Sequence, residues 1–240
     1  MRKTIVITGA SRGIGLAIAK KLLLEGHEVV GLSRTHAIEH ENYIAKKIDL
    51  ADLKFLPDQL RAIQAALPEV DALICNAGVW HYGNFEELSF DEMRHIIELN
   101  FLSQIYLVKT FLPQMKVQKS GDILFIGSES ARNAPAKQSV YAASKSALAT
   151  FAKSLRSECA DIRVTTISPG AVKTDMFDAA PFSLSDNAMH SILPEDIAGL
   201  ISYLLEGRLG TVLDEIHLSP QKHFVEKKHA DHLSGNARGN

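Results

Sequence analysis

Short β-branched runs alternate with longer stretches of helical periodicity along most of this chain, and no other feature narrows the possible folds so far. The strand-like runs fall at residues 4–8, 28–32, 43–48, 72–75, 122–126, 163–168 and 212–218. Between them, apolar residues recur at helical spacing over residues 14–25, 52–67, 89–116, 139–160 and 194–205. Nearly continuous apolar strands separated by helices are the mark of βαβ units, in which crossover helices bury both faces of a parallel sheet. The expected fold is therefore α/β, a doubly wound parallel sheet of about seven strands with helices on both faces. Helix ends carry matching punctuation. Gly26 follows the first helix as a C-terminal cap, and Ser89 with Glu92 forms a capping-box pattern before the longest one.

A chain of 240 residues can bury enough apolar surface to fold without disulfides or metals. Its 26 basic and 28 acidic side chains leave a net charge of −2, so no global field attracts a polyanion or an anionic membrane. Neither nucleic acid nor membrane is an expected partner. Cys75 and Cys159 both fall in strand or helix segments and make no disulfide framework, which suits a reducing, cytoplasmic setting. The apolar run after Met1-Arg2-Lys3 breaks at Thr8-Gly9, too early for a signal-peptide core, and no stretch nears the roughly 20 residues that span a bilayer.

Residues 1–218 read as one domain, with no linker and no repeat. Within it, residues 175–193 have only weak periodicity, and a segment of that length is usually a functional loop, here expected to be a substrate lid. Residues 219–240 turn polar and His-rich and are expected to form a mobile tail. His217, His223, His229 and His232 are irregularly spaced, which favours solvent-exposed side chains over a metal site.

After the first strand comes Thr8-Gly9-Ala10-Ser11-Arg12-Gly13-Ile14-Gly15, leading directly into a helix. Glycines at a strand-to-helix turn let the main chain approach a pyrophosphate, and the free amides and positive dipole end of the new helix stabilise its charge. The Gly-x3-Gly-x-Gly spacing departs from the commoner Gly-x-Gly-x2-Gly fingerprint. About 20 residues further on, where a carboxylate would hold an adenosine ribose, the chain reads Gly31-Leu32-Ser33-Arg34. A guanidinium there suits a 2′-phosphate, and Arg12 in the glycine turn offers a second cation, so NADP is favoured over NAD.

Tyr141 and Lys145 stand four residues apart on one helix face. A positive charge beside a phenol favours phenolate and brings it toward acid–base use near neutral pH. Alone, this pair usually marks an exposed helix surface. Ser128 lies thirteen residues earlier, just past an apolar strand and so at the carboxyl edge where open α/β sheets bind ligands. Asn76-Ala77-Gly78 closes the preceding strand with a small-residue turn.

With these motifs in this order, together with Asn100 and Pro169-Gly170-Ala171-Val172-Lys173-Thr174, the chain resembles the short-chain dehydrogenase/reductase family over roughly residues 3–218. The glycine spacing is that family's own. The resemblance implies a Rossmann-type fold and hydride transfer between a nicotinamide and a carbonyl or alcohol carbon, with no metal. It makes Tyr141 the general acid of reduction and base of oxidation. Ser128 would hold the substrate oxygen, while Lys145 would bind the nicotinamide ribose and lower the tyrosine's pKa. Asn100 would bend its helix and hold a water linked to Lys145. For the cofactor, the implied contacts are Gly9, Ser11, Arg12, Gly13, Ile14 and Gly15 at the phosphates, and Ser33, Arg34, Asp49 and Leu50 at the adenosine. Asn76, Ala77 and Gly78 would line the adenosine and central ribose region, and Pro169, Gly170, Val172 and Thr174 the nicotinamide end.

Two departures stand out. Cys75 replaces an asparagine found in many relatives and reads as a small buried residue, not a redox thiol. The segment 214–220 lacks the family's usual Asp-Gly-Gly ending, although a homodimer or homotetramer remains the expectation. Trp80, His81 and Tyr82 after the Asn-Ala-Gly turn, and Phe177 and Phe182 in the lid, are candidate substrate residues or simple packing. The leading function is an NADP-dependent ketone or aldehyde reductase. A 3-oxoacyl thioester reductase is the first alternative, needing a basic docking surface for which only Arg132 and Lys173 are at hand. The second is a non-catalytic NADP sensor.

Overall fold

The computed structural model describes residues 1–178, 180, 182–222 and 224–227. Seven strands form one sheet: β1 (Thr4–Thr8), β2 (Glu28–Ser33), β3 (Tyr43–Lys47), β4 (Ala72–Cys75), β5 (Asp122–Ile126), β6 (Arg163–Pro169) and β8 (Glu215–Leu218). Their order is β3-β2-β1-β4-β5-β6-β8, and every pairing is parallel. The chain steps outward from β1 to β3, then returns to lay β4 on the other side of β1. Strand order reverses at that point, and a crevice opens at the carboxyl ends of β1 and β4.

Side chains alternate across the sheet and seed two cores. Val6, Leu73 and Phe125 face one layer, where α2 (Leu56–Ala65), α4 (Ser103–Gln118) and α6 (Ser139–Glu158) supply Leu60, Phe111 and Leu148. Ile5, Ile7 and Ile74 face the other, meeting Ile18 and Leu22 of α1 (Gly13–Leu24) and Ile201 of α7 (Pro194–Glu206). Full burial of each such side chain contributes about 1.5–3 kcal/mol. Arg163 and Asp122 join the amino ends of β6 and β5 by a two-pronged ion pair of 2.6 and 2.8 Å, and Arg163 also donates to the Gly207 carbonyl.

The stretch expected as one helix over residues 89–116 is instead α3 (Phe90–Ile97), a π turn (Glu98–Leu102) and α4. The capping box at its start is present, with Ser89 and Glu92 bonded reciprocally. The π turn centres on Asn100, whose Oδ1 accepts from Val79 N at 2.8 Å while its Nδ2 donates to Val79 O at 2.9 Å. Widening the helix by one residue lets this buried amide satisfy a loop that has no strand partner.

The segments expected to be structureless have hydrogen-bonded structure. Asp175–Phe177 is a 3₁₀ turn, Val172 bridges to Ile192, and β7 (Phe182–Leu184) pairs antiparallel with β9 (Val225–Lys227). Lys222 N donates to Met189 O at 2.9 Å, and the Phe224 ring lies 4.9 Å from that of His190. Over the first part of the tail expected from Ser219, main-chain bonds to the lid and a ring contact join the chain to residues 182–190. The remainder of that expectation, with His223, His229 and His232, lies outside the described residues. His217 is an exposed residue of β8. Among the described residues, no helix is long and apolar enough to cross a membrane.

Candidate active site

A cleft of about 1450 Å³, counted to its open mouth, runs along the carboxyl ends of β2, β1, β4, β5 and β6. Its floor at β1 is made of main chain. Gly9 and Gly13 adopt φ of +71° and +53°, and a Cβ on Gly15 would stand 2.2 Å from the Gly9 carbonyl oxygen. Asn76 Nδ2 donates to Thr8 O at 2.9 Å and Gly9 O at 3.2 Å, fastening the end of β4 to the turn. Thr8 Oγ1 accepts from the amides of Asn76 and Ala77 and donates to Gln104 Oε1. Helix α1 begins here without a side-chain cap and without an acidic residue in its first turn, so its leading amides face the cleft unopposed. Ser11, Arg12, Gly13 and Ile14 line this part, while Gly15 lies beneath and keeps it shallow.

Beyond the end of β2, Ser33 and Arg34 line the cleft opposite Asp49 and Leu50. Ser33 is only 4% exposed, and its Oγ is buried without a hydrogen-bond partner. A buried hydroxyl with no partner beside an exposed guanidinium is a receptor for an oxygen-rich group. With the glycine cradle, it makes the residues present a good fit for an adenine dinucleotide. Arg12 is less free than expected, because its guanidinium meets Asp175 at 3.0 Å.

At mid-cleft, Ser128 follows β5, and Tyr141 and Lys145 rise from the first turns of α6; all three line the same wall and are 8%, 6% and 4% exposed. The Tyr141 and Ser128 hydroxyls are hydrogen-bonded. Lys145 Nζ donates to the Ile126 carbonyl at 2.9 Å. Asn100 stands behind them, outside the lining, and its amide also donates to Ser144 Oγ at 3.0 Å. Gly78 fills the gap, since a Cβ there would stand 3.1 Å from Asn100 Oδ1 and 3.5 Å from Lys145 Nζ.

The expected lowering of the Tyr141 pKa by Lys145 is not what this geometry gives. Burial raises it, the Ser128 hydrogen bond opposes that, and the Glu129 carboxylate raises it further. Lys145 responds in the complementary sense, pushed down to about 8 by burial. Its ammonium is directed at a main-chain carbonyl, and the phenol is held in its protonated form. Cys75 at the end of β4 has its thiol pKa pushed up by burial, which makes it inert as a nucleophile.

Pro169, Gly170, Val172 and Thr174 line the next section. Thr174 caps the 3₁₀ turn by accepting from Met176 N. Of the aromatic candidates, Trp80 and Phe177 line the cleft, whereas His81, Tyr82 and Phe182 do not. Tyr82 stacks on Trp80 at 5.6 Å, while Phe177 and Phe182 meet it edge-on at 5.0 and 6.0 Å. Trp80 Nε1 donates to Gln138 Oε1 at 3.1 Å, and Ser130 Oγ donates to the same oxygen. His95 of α3 and Leu99 of the π turn, with Val79 and Met176, complete this end and were not foreseen. His95 and Leu99 do share a helix face at four-residue spacing, but an ordinary core stripe has the same spacing.

Residues 3–182 match the model of the short chain dehydrogenase family. The chain is 32% identical over 242 aligned positions to 3-oxoacyl-acyl-carrier-protein reductase FabG of Salmonella typhimurium, covering 97% of this chain and 93% of that one. It is also 32% identical to the NADP-dependent 3-hydroxy acid dehydrogenase of Schizosaccharomyces pombe, covering 91% and 92% of the two chains. The fold superposes on the alcohol dehydrogenase of the archaeon Thermococcus sibiricus in complex with 5-hydroxy-NADP, with a TM-score of 0.82, 26% identity and coverage of 91% and 96%.

Proposed function

The chain belongs to the short-chain dehydrogenase/reductase family and is an oxidoreductase acting on CH–OH and C=O groups, and we propose that it is an NADP(H)-dependent ketone or aldehyde reductase in which Tyr141 is the general acid and base. The observation that carries this reading is the presence of Ser128, Tyr141 and Lys145 in the lining of a cleft where the end of β2 offers Ser33 and the Arg34 guanidinium in place of a carboxylate. A nicotinamide cofactor, when bound, supplies the hydride in reduction and accepts it in oxidation. Ser128 and Tyr141 point two hydroxyls at one substrate oxygen. Because burial holds Tyr141 as the neutral phenol, it is ready to give a proton as the carbonyl oxygen becomes an alkoxide. Lys145 holds positive charge beside that step, and Asn100 positions α6 through Ser144.

The S. pombe relative is NADP-dependent by name and the archaeal structure holds an NADP derivative, both in line with a phosphate-selective Arg34. Similarity to the Salmonella reductase favours a 3-oxoacyl thioester as a second reading. The α4 and α6 surfaces are the expected contacts of a homodimer or homotetramer, which light scattering would count.

Oxidation of NADPH and of NADH, followed by absorbance against a carbonyl panel, tests the proposal. Tyr141→Phe is expected to lower kcat by about 10³-fold while leaving NADPH affinity within about 3-fold. Unchanged turnover would remove Tyr141 from the chemistry, and a preference for NADH would overturn the role of Arg34.

A further inference from the structure

We propose that the substrate is an uncharged ketone or aldehyde carrying a ring, and that the site rejects carbonyl compounds bearing a free carboxylate. This rests on the reductase reading and specifies what that site accepts. It runs against the acid and acyl-carrier chemistry in the names of the relatives, so it comes from the residues of this chain alone.

The substrate end of the cleft has aromatic walls and, His95 apart, no unpaired cationic side chain in its lining among the described residues. Trp80 is held upright by the stacked ring of Tyr82 and the edges of Phe177 and Phe182. Its one polar donor is already used by Gln138. With Phe177, Leu99, Val79 and Met176, it offers flat π surface and hydrocarbon, to which a ring gives more contact area than a short chain.

The cations are occupied or distant. Among the described residues lining the cleft, those able to carry positive charge are Arg12, Arg34, His95 and Lys145. Arg12 is paired with Asp175, and Lys145 is buried against the Ile126 carbonyl. Arg34 follows β2, three strands from Ser128 after β5, a separation of about 14 Å at the usual strand spacing. Lys173 outside the lining pairs with Asp186 at 2.7 Å, and Lys137 lies over the far ring of Tyr82. His95 alone remains to meet an acid, and it shares its helix face with Leu99.

Negative charge, by contrast, is already in place. Glu129 directly follows Ser128 and is half-buried; its main chain bonds to Pro169, Arg132 and Asn133, while its carboxylate has no hydrogen bond or ion pair among the described residues. Its Oε2 lies 2.9 Å from where a Cβ on Gly170 would stand, and Gly170 lines the cleft. A second carboxylate brought to Ser128 would be desolvated beside this one without a compensating partner. In the reaction, the carbonyl carbon gains a hydride from NADPH and the oxygen gains a proton from Tyr141. The products are the alcohol and NADP⁺, and Tyr141 recovers its proton from water.

A matched pair of substrates tests the inference: methyl benzoylformate and benzoylformate differ only in the ester that removes the charge. Ethyl acetoacetate, acetoacetate and acetoacetyl-CoA supply the ringless controls, and NADPH binding is followed by fluorescence in parallel. The ester is expected to exceed the acid in kcat/KM by about 100-fold or more, and to exceed ethyl acetoacetate by about 10-fold. Glu129→Gln should raise the acid's kcat/KM by about 10-fold relative to the ester's, a ratio unaffected by any common change in Tyr141. Trp80→Ala should penalise the ring ester at least about 10-fold more than ethyl acetoacetate, with Trp80→Phe restoring most of the difference. Equal or better turnover of benzoylformate, acetoacetate or acetoacetyl-CoA would overturn the inference and leave the reductase standing. No turnover of any member, with NADPH bound, would overturn the reductase reading and this inference with it.

Discussion

At the β1 end of the cleft, shape is set by main chain: a glycine turn, the unopposed amides of α1, and an asparagine that ties two strand ends together. At the β7 end, it is set by side chains from three separate segments, in which Trp80 and Tyr82, Phe177, and Phe182 form one ring cluster, and strand β9 pairs along β7. The first kind of wall has no slack, because adding a methyl group places it inside another atom's radius. The second is adjustable, because rings can repack and a smaller one leaves space. A binding surface common to many substrates belongs on the first kind, and a surface that distinguishes between substrates belongs on the second.

The sharpest way to break this contrast is to give the main-chain end a side chain. Gly15→Val would force at least one carbon to within about 2.2 Å of the Gly9 carbonyl oxygen and close to Asn76 Nδ2. The turn must then open, and NADPH affinity is expected to fall by about 100-fold or more, with about 1–3 kcal/mol lost from stability. Fluorescence titration and denaturant melts would measure both. An NADPH affinity within a few-fold of the parent would mean that the turn is not the phosphate cradle.

The next effect is smaller and concerns selection within the same end. Arg34→Ala removes the guanidinium that follows the buried, partnerless hydroxyl of Ser33. The ratio of kcat/KM for NADPH over NADH should drop by about 10- to 30-fold, mostly through the NADPH value, because an exposed charge-assisted contact to phosphate contributes about 1.5–2 kcal/mol. A ratio that does not move would transfer the selection to Arg12, despite its pairing with Asp175.

The two ends also differ in how plainly the sequence displays them. The glycine turn, Asn76 to Gly78 and the Tyr141 and Lys145 pair are each contiguous or one helical turn apart, so each can be picked out locally, although only their order along the chain and the family resemblance give them chemistry. All seven sheet strands and their flanking helices were legible for a similar reason, since burial on both faces leaves apolar runs that nothing else explains. The resemblance implied a bend at Asn100, but spacing alone did not: Asn100 reads as a polar flaw in an apolar helix until Val79, twenty-one residues earlier, is seen to need its amide. The pairing of β7 with β9 was not legible. A three-residue strand has no period to detect, and its partner lies more than forty positions away. His95, Val79 and Met176 reach the cleft only through tertiary placement.

That unforeseen pairing can be used against the substrate end. Ending the chain after Leu218 removes β9, the Lys222 amide bond to Met189 and the Phe224 ring against His190. The lid then keeps its bridge at Val172 and Ile192, the ion pairs Arg12–Asp175 and Lys173–Asp186, and the rings of Phe177 and Phe182 against Trp80. KM for a ring ketone is expected to rise by about 10-fold with NADPH affinity unchanged, and Phe224→Ala should give a fraction of that rise. If truncation weakened NADPH and ketone alike, the two ends would not be independent, and the contrast drawn between them would fail.

The smallest expected effect lies between the ends, at Lys145, where electrostatics and not shape is under stress. Burial lowers its pKa from 10.5 to about 8, so the folded protein gives up this proton more readily than the unfolded chain does. Between about pH 8 and pH 10.5 the unfolded state therefore binds more protons, and stability must rise with pH across that window. Below it both states carry the charge and the full penalty of burying an ammonium is present. Above it both are neutral and the penalty is gone. Lys145→Met removes the titration but keeps the stem, so the stability of the parent relative to this variant should increase by about 1–2 kcal/mol from pH 8 to pH 10, or a few degrees in Tm. A difference that stays flat with pH would mean that the Ile126 carbonyl compensates the buried charge fully. Lys145 would then be an unstrained part of the cleft, as settled in its place as the glycine turn beside it.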